Sequence, residues 1–371
     1  MDFSLTEELE AIRDLAGTIL SEQSTPDRLA ALEAAGDWFD RDTWRALAEA
    51  GLLAAPLPDA HGGSNLGFLA VHLLLEKVGE HAAKLPVLET IGLGALTVAR
   101  FGPTSLADDL LPSIIAGDTL LTVALADDGW ADPLTPTTTA TATDVGWRLT
   151  GTKHLVPIVT LANHVAVSAT GDDGRARVFV VDRDADGVTI TDQPVIGDVP
   201  HGDLSLDGVA VAPERVLGTS DDDVVTHLVA HAAAGVASTQ AGLCTAAVRM
   251  AADYTSQREQ FGRPIATFQA VSQRVADAHI DAEAARLTAL EAAWRLSAGL
   301  AADEAVAIAK WWACEAGHRV LHAAHHVHGG VSVDRDYPLF RHTLRTKQLE
   351  LTHGTAPVHL GALGRQLADA T

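Results

Sequence analysis

The apolar pattern of this chain changes period twice, and that change constrains the fold more than any other feature. Up to about Leu120 apolar residues recur at helical spacing, as in "TEELEAIRDLAGTIL". From there to Asp223 the runs are short, Val/Thr-rich and turn-bounded, with two-residue alternation in "RVFVVD" and "VTIT" and a spacing of about ten residues. From Val224 onward three long Ala-rich stretches read as helices, each closed by a glycine. Long helices with small residues on their faces pack as a bundle. The class expected is therefore α+β: an N-terminal helical domain over 1–120, a middle antiparallel sheet or barrel over 121–223 closed by "SDDD", and a C-terminal helical bundle over 224–371.

Local signals sharpen this outline. Leu5, Leu9, Ile12, Leu15, Ala16 and Ile19 share one helical face, and Thr6 marks a helix start. Asp42 is expected to cap the helix that Gly51 and the Pro56/Pro58 pair terminate. With 47% hydrophobic and 20% charged residues in 371, the chain has apolar material for a large core. No apolar run reaches the length of a membrane span, and the acidic, amphipathic N-terminus is unlike a signal peptide. Two cysteines, Cys244 and Cys314, read as buried thiols, and the cytosol is the expected compartment. A formal net charge of −23 argues against nucleic acid and anionic membranes as partners. An anionic cofactor would then need local donors.

The most specific stretch is "YTSQREQFGRPIATFQAV", Tyr254 to Val271. A long helix is expected to stop at Gly262, Pro264 to set a turn, and a new helix to begin near Thr267. Arg258 and Gln260 beside Phe261 at a helix end suit a phosphate and a ring, since guanidinium is a planar fork for pyrophosphate. The same residues also suit a plain helix hairpin with a surface arginine.

"REQFGRPIATFQ", between two long helices and downstream of a β region, closely resembles the signature of the acyl-CoA dehydrogenase family. "DFSLTEELEAIRD", "GLLAAPLPDAHGGSNLG", "GWRLTGTKHLV" and "HVHGGVSVDRDYPLFR" extend the resemblance over essentially the whole chain. It implies a helical N-domain, a β middle domain, a C-terminal four-helix bundle and an FAD cofactor shared across a subunit interface. It implies α,β-desaturation of an acyl-CoA thioester, with a carboxylate taking the α-proton and the flavin the β-hydride, and electron-transfer flavoprotein or a similar acceptor downstream. Arg258 and Phe261 would reach the ADP half of FAD, with Gln260, Gln269, His326, Gly329 and Gly330 beside it.

The departures are informative. The family's glutamate base stands before a Gly-Thr near the C-terminus; here that place is His353, before Gly354 and Thr355. The alternative base position falls near His231 to Ala233, and no Asp or Glu occurs from Val224 to Ala252. Glu350, one turn before His353, could substitute only with a backbone shift. The family's Thr-Glu-Pro…Gly-Ser segment is replaced by "ALADDGWADP", where Asp127 and Asp128 would add negative charge near a flavin. "HLVP", His154 to Pro157, replaces the Trp-Ile-Thr/Ser that follows Gly-x-Lys, while Trp147 and Gly151 remain as sheet-forming positions.

His318, His322, His325 and His326 share a helical face that could mimic a metal site, but nothing acidic or thiolate joins them, and a solvent- or interface-facing helix is expected instead. His353 reads as either a general base or a neutral occupant of the base position, the second being favoured because the flavin segments are altered too. The pattern resembles the subunit lacking the glutamate in actinobacterial α2β2 enzymes that act on steroid side-chain CoA esters, with a paralogous glutamate-bearing subunit as partner. A self-sufficient homotetramer using His353 or Glu350, and a non-enzymatic acyl-CoA- or protein-binding scaffold, are the alternatives.

Overall fold

A computed structural model describes residues 4–128, 132–219 and 223–369. Gly129 to Ala131 of "ALADDGWADP" and residues 220–222 of "SDDD" lie outside these. The first helices are α1 (Glu7–Gln23), α2 (Pro26–Ala35), α3 (Arg41–Glu49) and α4 (Gly67–Glu80). Thr6 caps α1 by accepting from the Leu9 amide. The buried face of α1 is Leu9, Ala16 and Leu20, whereas Leu15, expected on that face, is 42% exposed. The cap of α3 is Asp40 rather than Asp42: Asp40 accepts from the Thr43 amide, and Arg28 bridges both aspartates. "ETIGLGALTVARFG" is not one regular helix. Val87–Ala95 winds as a π-helix and continues into α5 (Leu96–Phe101), followed by α6 (Thr104–Ile115).

The β region holds β1 (Leu121–Ala124), β2 (Thr139–Thr143), β3 (Gly146–Pro157), β4 (His164–Gly171), β5 (Ala176–Asp182), β6 (Val188–Gln193), β7 (His201–Val211) and β8 (Val216–Leu217). They form one sheet in the order β6-β7-β3-β2-β4-β5-β8, with β1 also on β4. The sheet is mixed rather than antiparallel throughout, because β1 and β2 both run parallel to β4. Alternate residues of β3, β4, β5 and β7, including Leu149, Phe179 and Leu204, close a core inside the sheet.

Three long helices follow: α7 (Val224–Gln257), α8 (Gln269–Ser297) and α9 (Asp303–His328), then α10 (Leu339–Leu351) and α11 (Ala356–Asp369). A short hairpin, β9 (Glu259–Gln260) and β10 (Arg263–Pro264), separates α7 from α8. α4 lies against α7 closely enough that side chains are excluded at the crossing. A Cβ on Gly79 would stand 2.1 Å from the Thr239 carbonyl oxygen, and one on Gly242 only 1.9 Å from that of Glu76. Both cysteines are buried thiols. Among the described residues no helix is long and apolar enough to cross a membrane.

Candidate functional site

Two regions carry the residues singled out in the sequence. The first is one end of the bundle. α7 ends at Gln257, and Arg258 leaves it in extended geometry, so the helix stops short of Gly262. Phe261 (φ +56°) and Gly262 (φ +80°) are both left-handed. That is the two-residue turn whose twist matches the flanking strands, which is why a hairpin rather than a helix end occupies "REQFGRP". Phe261 is 92% exposed, meets Phe268 edge-on with ring centres 6.1 Å apart, and stands beside exposed Arg258, Gln260 and Gln269. The Gln260 amide donates to its neighbour's carbonyl, Glu259, at 2.9 Å.

The end of α9 lies alongside. The Tyr254 and His328 rings stack at 4.5 Å, tying α7 to α9. His328 donates from Nδ1 to the Ala324 carbonyl at 2.7 Å, and its Nε2 lies 2.8 Å from the Tyr337 hydroxyl, which donates to it when the ring is neutral. Burial pushes its pKa down accordingly. His326, Gly329 and Gly330 are exposed, and a Cβ on either glycine would meet nothing within 4 Å. Arg258, Phe261, Gln269, His326 and the glycine pair are thus gathered on one open, donor-bearing edge. The four helix histidines do not act together. His318 and His322 line a groove of about 620 Å³ between α8 and α9, whereas His325 turns to the Thr343 hydroxyl at 2.6 Å.

The second region is the turn after α10. Thr352 is extended, and His353 (φ +53°) and Gly354 (φ +92°) are left-handed. The turn is held from below by Lys310, a fully buried lysine of α9. Its ammonium donates to the carbonyls of Gly354 (2.7 Å) and Leu349 (3.3 Å) and lies 3.1 Å from the Cys314 sulfur. His359 donates to the His353 carbonyl at 2.9 Å. The half-buried imidazole of His353 is pushed down to about 4, by burial first and then by the charge of Lys310. Taking up a proton there would set an imidazolium near an ammonium, whereas a carboxylate in the same place would become neutral. Glu350 is not free to replace it: its carboxylate is paired with Lys347. Lys310 escaped notice in the sequence. Its signal was there, a lone lysine in "AVAIAKWWACEAG" with no acidic residue one helical turn away.

The alternative base position holds no acid–base pair either. His231 is buried, donates to the His227 carbonyl at 2.7 Å, packs edge-on against Phe68, and is pushed by burial to about 4. On the sheet side the expectation for Asp127 is corrected. Its carboxylate is not presented to a ligand but buried, accepting from Lys153 Nζ at 2.8 Å, from the Thr137 and Thr138 amides and from the Thr138 hydroxyl. Lys153, of "GTK", is itself fully buried and also donates to Ser168. Asp128 is exposed. His154 turns to Asp203, 3.1 Å away.

Helical segments flanking a mixed sheet, a long-helix bundle and a donor-bearing bundle end define a class. The chain matches the model of the acyl-CoA dehydrogenase N-terminal domain over residues 6–118 and that of the C-terminal domain over residues 223–368. It belongs to the acyl-CoA dehydrogenase family, oxidoreductases acting on CH–CH bonds. Among its relatives is the acyl-CoA dehydrogenase FadE27 of Mycobacterium tuberculosis, 39% identical over 100% of this chain and 99% of that protein. A chain of the ChsE4–ChsE5 complex of the same organism superposes with a TM-score of 0.93 at 39% identity, covering 99% of each chain. A chain from a variant of the Tcur3481–Tcur3483 steroid ACAD does so with a TM-score of 0.91 at 40% identity, covering 98% of each.

Proposed function

We propose that this chain is the non-basic subunit of a heteromeric, FAD-dependent acyl-CoA dehydrogenase that desaturates acyl-CoA thioesters, in particular CoA esters of steroid side chains. The observation that carries the proposal is the asymmetry between its two regions. The bundle end keeps an open edge of donors, while the position before Gly354-Thr355 holds a neutral imidazole pinned beside a buried lysine. The similarity to chains of the ChsE4–ChsE5 complex and of a steroid ACAD supports both the pairing and the substrate class.

The residues present fit the anionic half of FAD. Arg258 is exposed at the hairpin, His326 adds a ring donor, and Gly329 and Gly330 border open space that any side chain would narrow. Phe261 offers an apolar face, and Gln269 and Gln260 flank it. Bound FAD would supply the redox chemistry as the hydride acceptor. The partner chain would supply the glutamate and most of the acyl-CoA site, and electrons would leave to electron-transfer flavoprotein or a similar acceptor. The role of this chain is to bind and orient the ADP moiety across the interface. Its own His353 takes no part in proton removal.

The test is co-expression with a glutamate-bearing paralogue, followed by measurement of flavin content and turnover. Arg258→Ala is expected to lower FAD occupancy, weakening binding by about 2–5 kcal/mol. His353→Ala is expected to leave kcat almost unchanged. A large loss of kcat from His353→Ala at full flavin content would instead identify the histidine as the base. Flavin binding and bleaching by acyl-CoA in the isolated chain would establish a self-sufficient enzyme.

A further inference from the structure

We propose that Tyr337, acting through the ring of His328, is a positioning residue for the cofactor edge, setting the Gly329–Gly330 segment against Arg258; this rests on the function proposed above. The need for such a residue follows from the two glycines. They let a phosphate or sugar approach the backbone closely, but glycine has the freest backbone of any residue, and freezing it on binding costs affinity. Gly329 leaves α9 at φ +64° and ψ −142°, a conformation that residues with side chains disfavour. An edge built on it binds tightly only when something else fixes the segment beforehand.

Apolar burial does little to fix it. Beyond His328, Gly329, Gly330 and residues 333–336 are exposed, Val331 is half-buried and Ser332 is buried. What closes the loop is polar. The Gly329 amide donates to the His325 carbonyl, and the Ser332 hydroxyl donates to the Gly329 carbonyl at 2.7 Å. The two ends of the loop are joined by the bond between His328 Nε2 and the Tyr337 hydroxyl, 2.8 Å long. Tyr337 is itself held by its amide, which donates to the Asp334 carbonyl at 3.2 Å.

The buried His328 ring also joins the two halves of the edge. Tyr254 of α7 stacks on it with ring planes 25° apart, and the Tyr337 ring meets it at 5.2 Å between centres. Tyr254 stands one helical turn before Arg258, and its carbonyl accepts from the Arg258 amide at 2.8 Å. His328 directly precedes Gly329. Tyr254 therefore carries the turn that bears the guanidinium, His328 carries the glycine pair, and their stack sets one against the other. Stacking alone leaves a ring free to slide and turn in its plane. The directional bonds at Nδ1, to the Ala324 carbonyl, and at Nε2, to the Tyr337 hydroxyl, remove that freedom.

The experiment uses the complex with the co-expressed, glutamate-bearing paralogue. FAD affinity is measured by fluorescence titration of the flavin-stripped complex, alongside kcat at saturating FAD and far-ultraviolet circular dichroism. Tyr337→Phe keeps the ring and removes the hydroxyl. It is expected to raise the dissociation constant for FAD about 5-fold, with kcat at saturating FAD and the circular dichroism unchanged. His328→Leu is expected to weaken FAD at least as much, and His328→Gln, whose amide oxygen accepts from a hydroxyl, to recover affinity toward the wild type. A role in packing alone would not separate leucine from glutamine in this way. Unchanged FAD affinity in Tyr337→Phe, or equal losses in His328→Leu and His328→Gln, would overturn the positioning role while leaving the proposed function standing. A fall in kcat at saturating FAD in Tyr337→Phe would overturn it as well. Full flavin content in Arg258→Ala would overturn the functional proposal and this one together.

Discussion

At the scale of single residues, the chain's unusual charges sit inside rather than at the surface. Lys153 and Lys310 are both fully buried, and burial lowers the pKa of each. They are satisfied differently. Lys153 has a carboxylate partner in Asp127, whereas the Lys310 ammonium rests on two carbonyls and a sulfur. The pair in the sheet is therefore the more fragile to a change of charge. Asp127→Asn nearly conserves shape but strands the Lys153 ammonium, and should cost about 3–5 kcal/mol, read by urea unfolding at pH 7. Asp127 is also where residue-level reading of the sequence misled. Two adjacent aspartates suggested charge near a ligand, but the lysine that absorbs one of them arrives from another strand. Thr6 was legible because a helix cap depends on its immediate neighbours alone.

Among elements, what distinguishes this chain is how closely α4 and α7 approach. Gly79 and Gly242 let two helix backbones touch where any Cβ would collide with a carbonyl oxygen. Gly242→Ala therefore sets local and tertiary preference against each other. Alanine favours the helix by about 1 kcal/mol, but forcing α4 from α7 should cost about 3 kcal/mol. A net loss of stability in thermal or urea unfolding is the expected outcome; net stabilisation would show that the two helices are free to part. α10 joins elements differently. The Gln348 amide bonds both the N–H and the C=O of Val199, and Arg341 grips Glu33 of α2 with two bonds at 2.8 and 2.9 Å. Helix periodicity was plain in the sequence, but these grips were not, because 308 residues separate Arg341 from Glu33.

For the whole molecule, several histidines are held neutral in the interior. Burial pushes His72 to about 3, His227 to about 2, and His231 and His353 to about 4. Each pKa lies below the unfolded value near 6.5. In the window beneath 6.5 the unfolded chain thus binds more protons than the native one, and stability falls as pH falls. The loss reaches up to about 1.4 kcal/mol per pH unit for each such histidine, and should show as a steady drop in urea midpoint between pH 7 and pH 5. A midpoint flat across that range would mean these rings are solvated.

The sequence by itself determined the succession of helical, β and helical segments, because apolar period is a local property that each segment carries. It also determined that no carboxylate occupies either expected base position, since that is a matter of residue identity. Tertiary structure alone decided what surrounds His353. The Lys310 ammonium reaches the carbonyls of Leu349 and Gly354 from a different helix, and burial, with the charge of that ammonium, keeps His353 neutral. It also decided that Arg258, His326 and the Gly329–Gly330 pair share one edge, because α7 and α9 end side by side only once the bundle has packed.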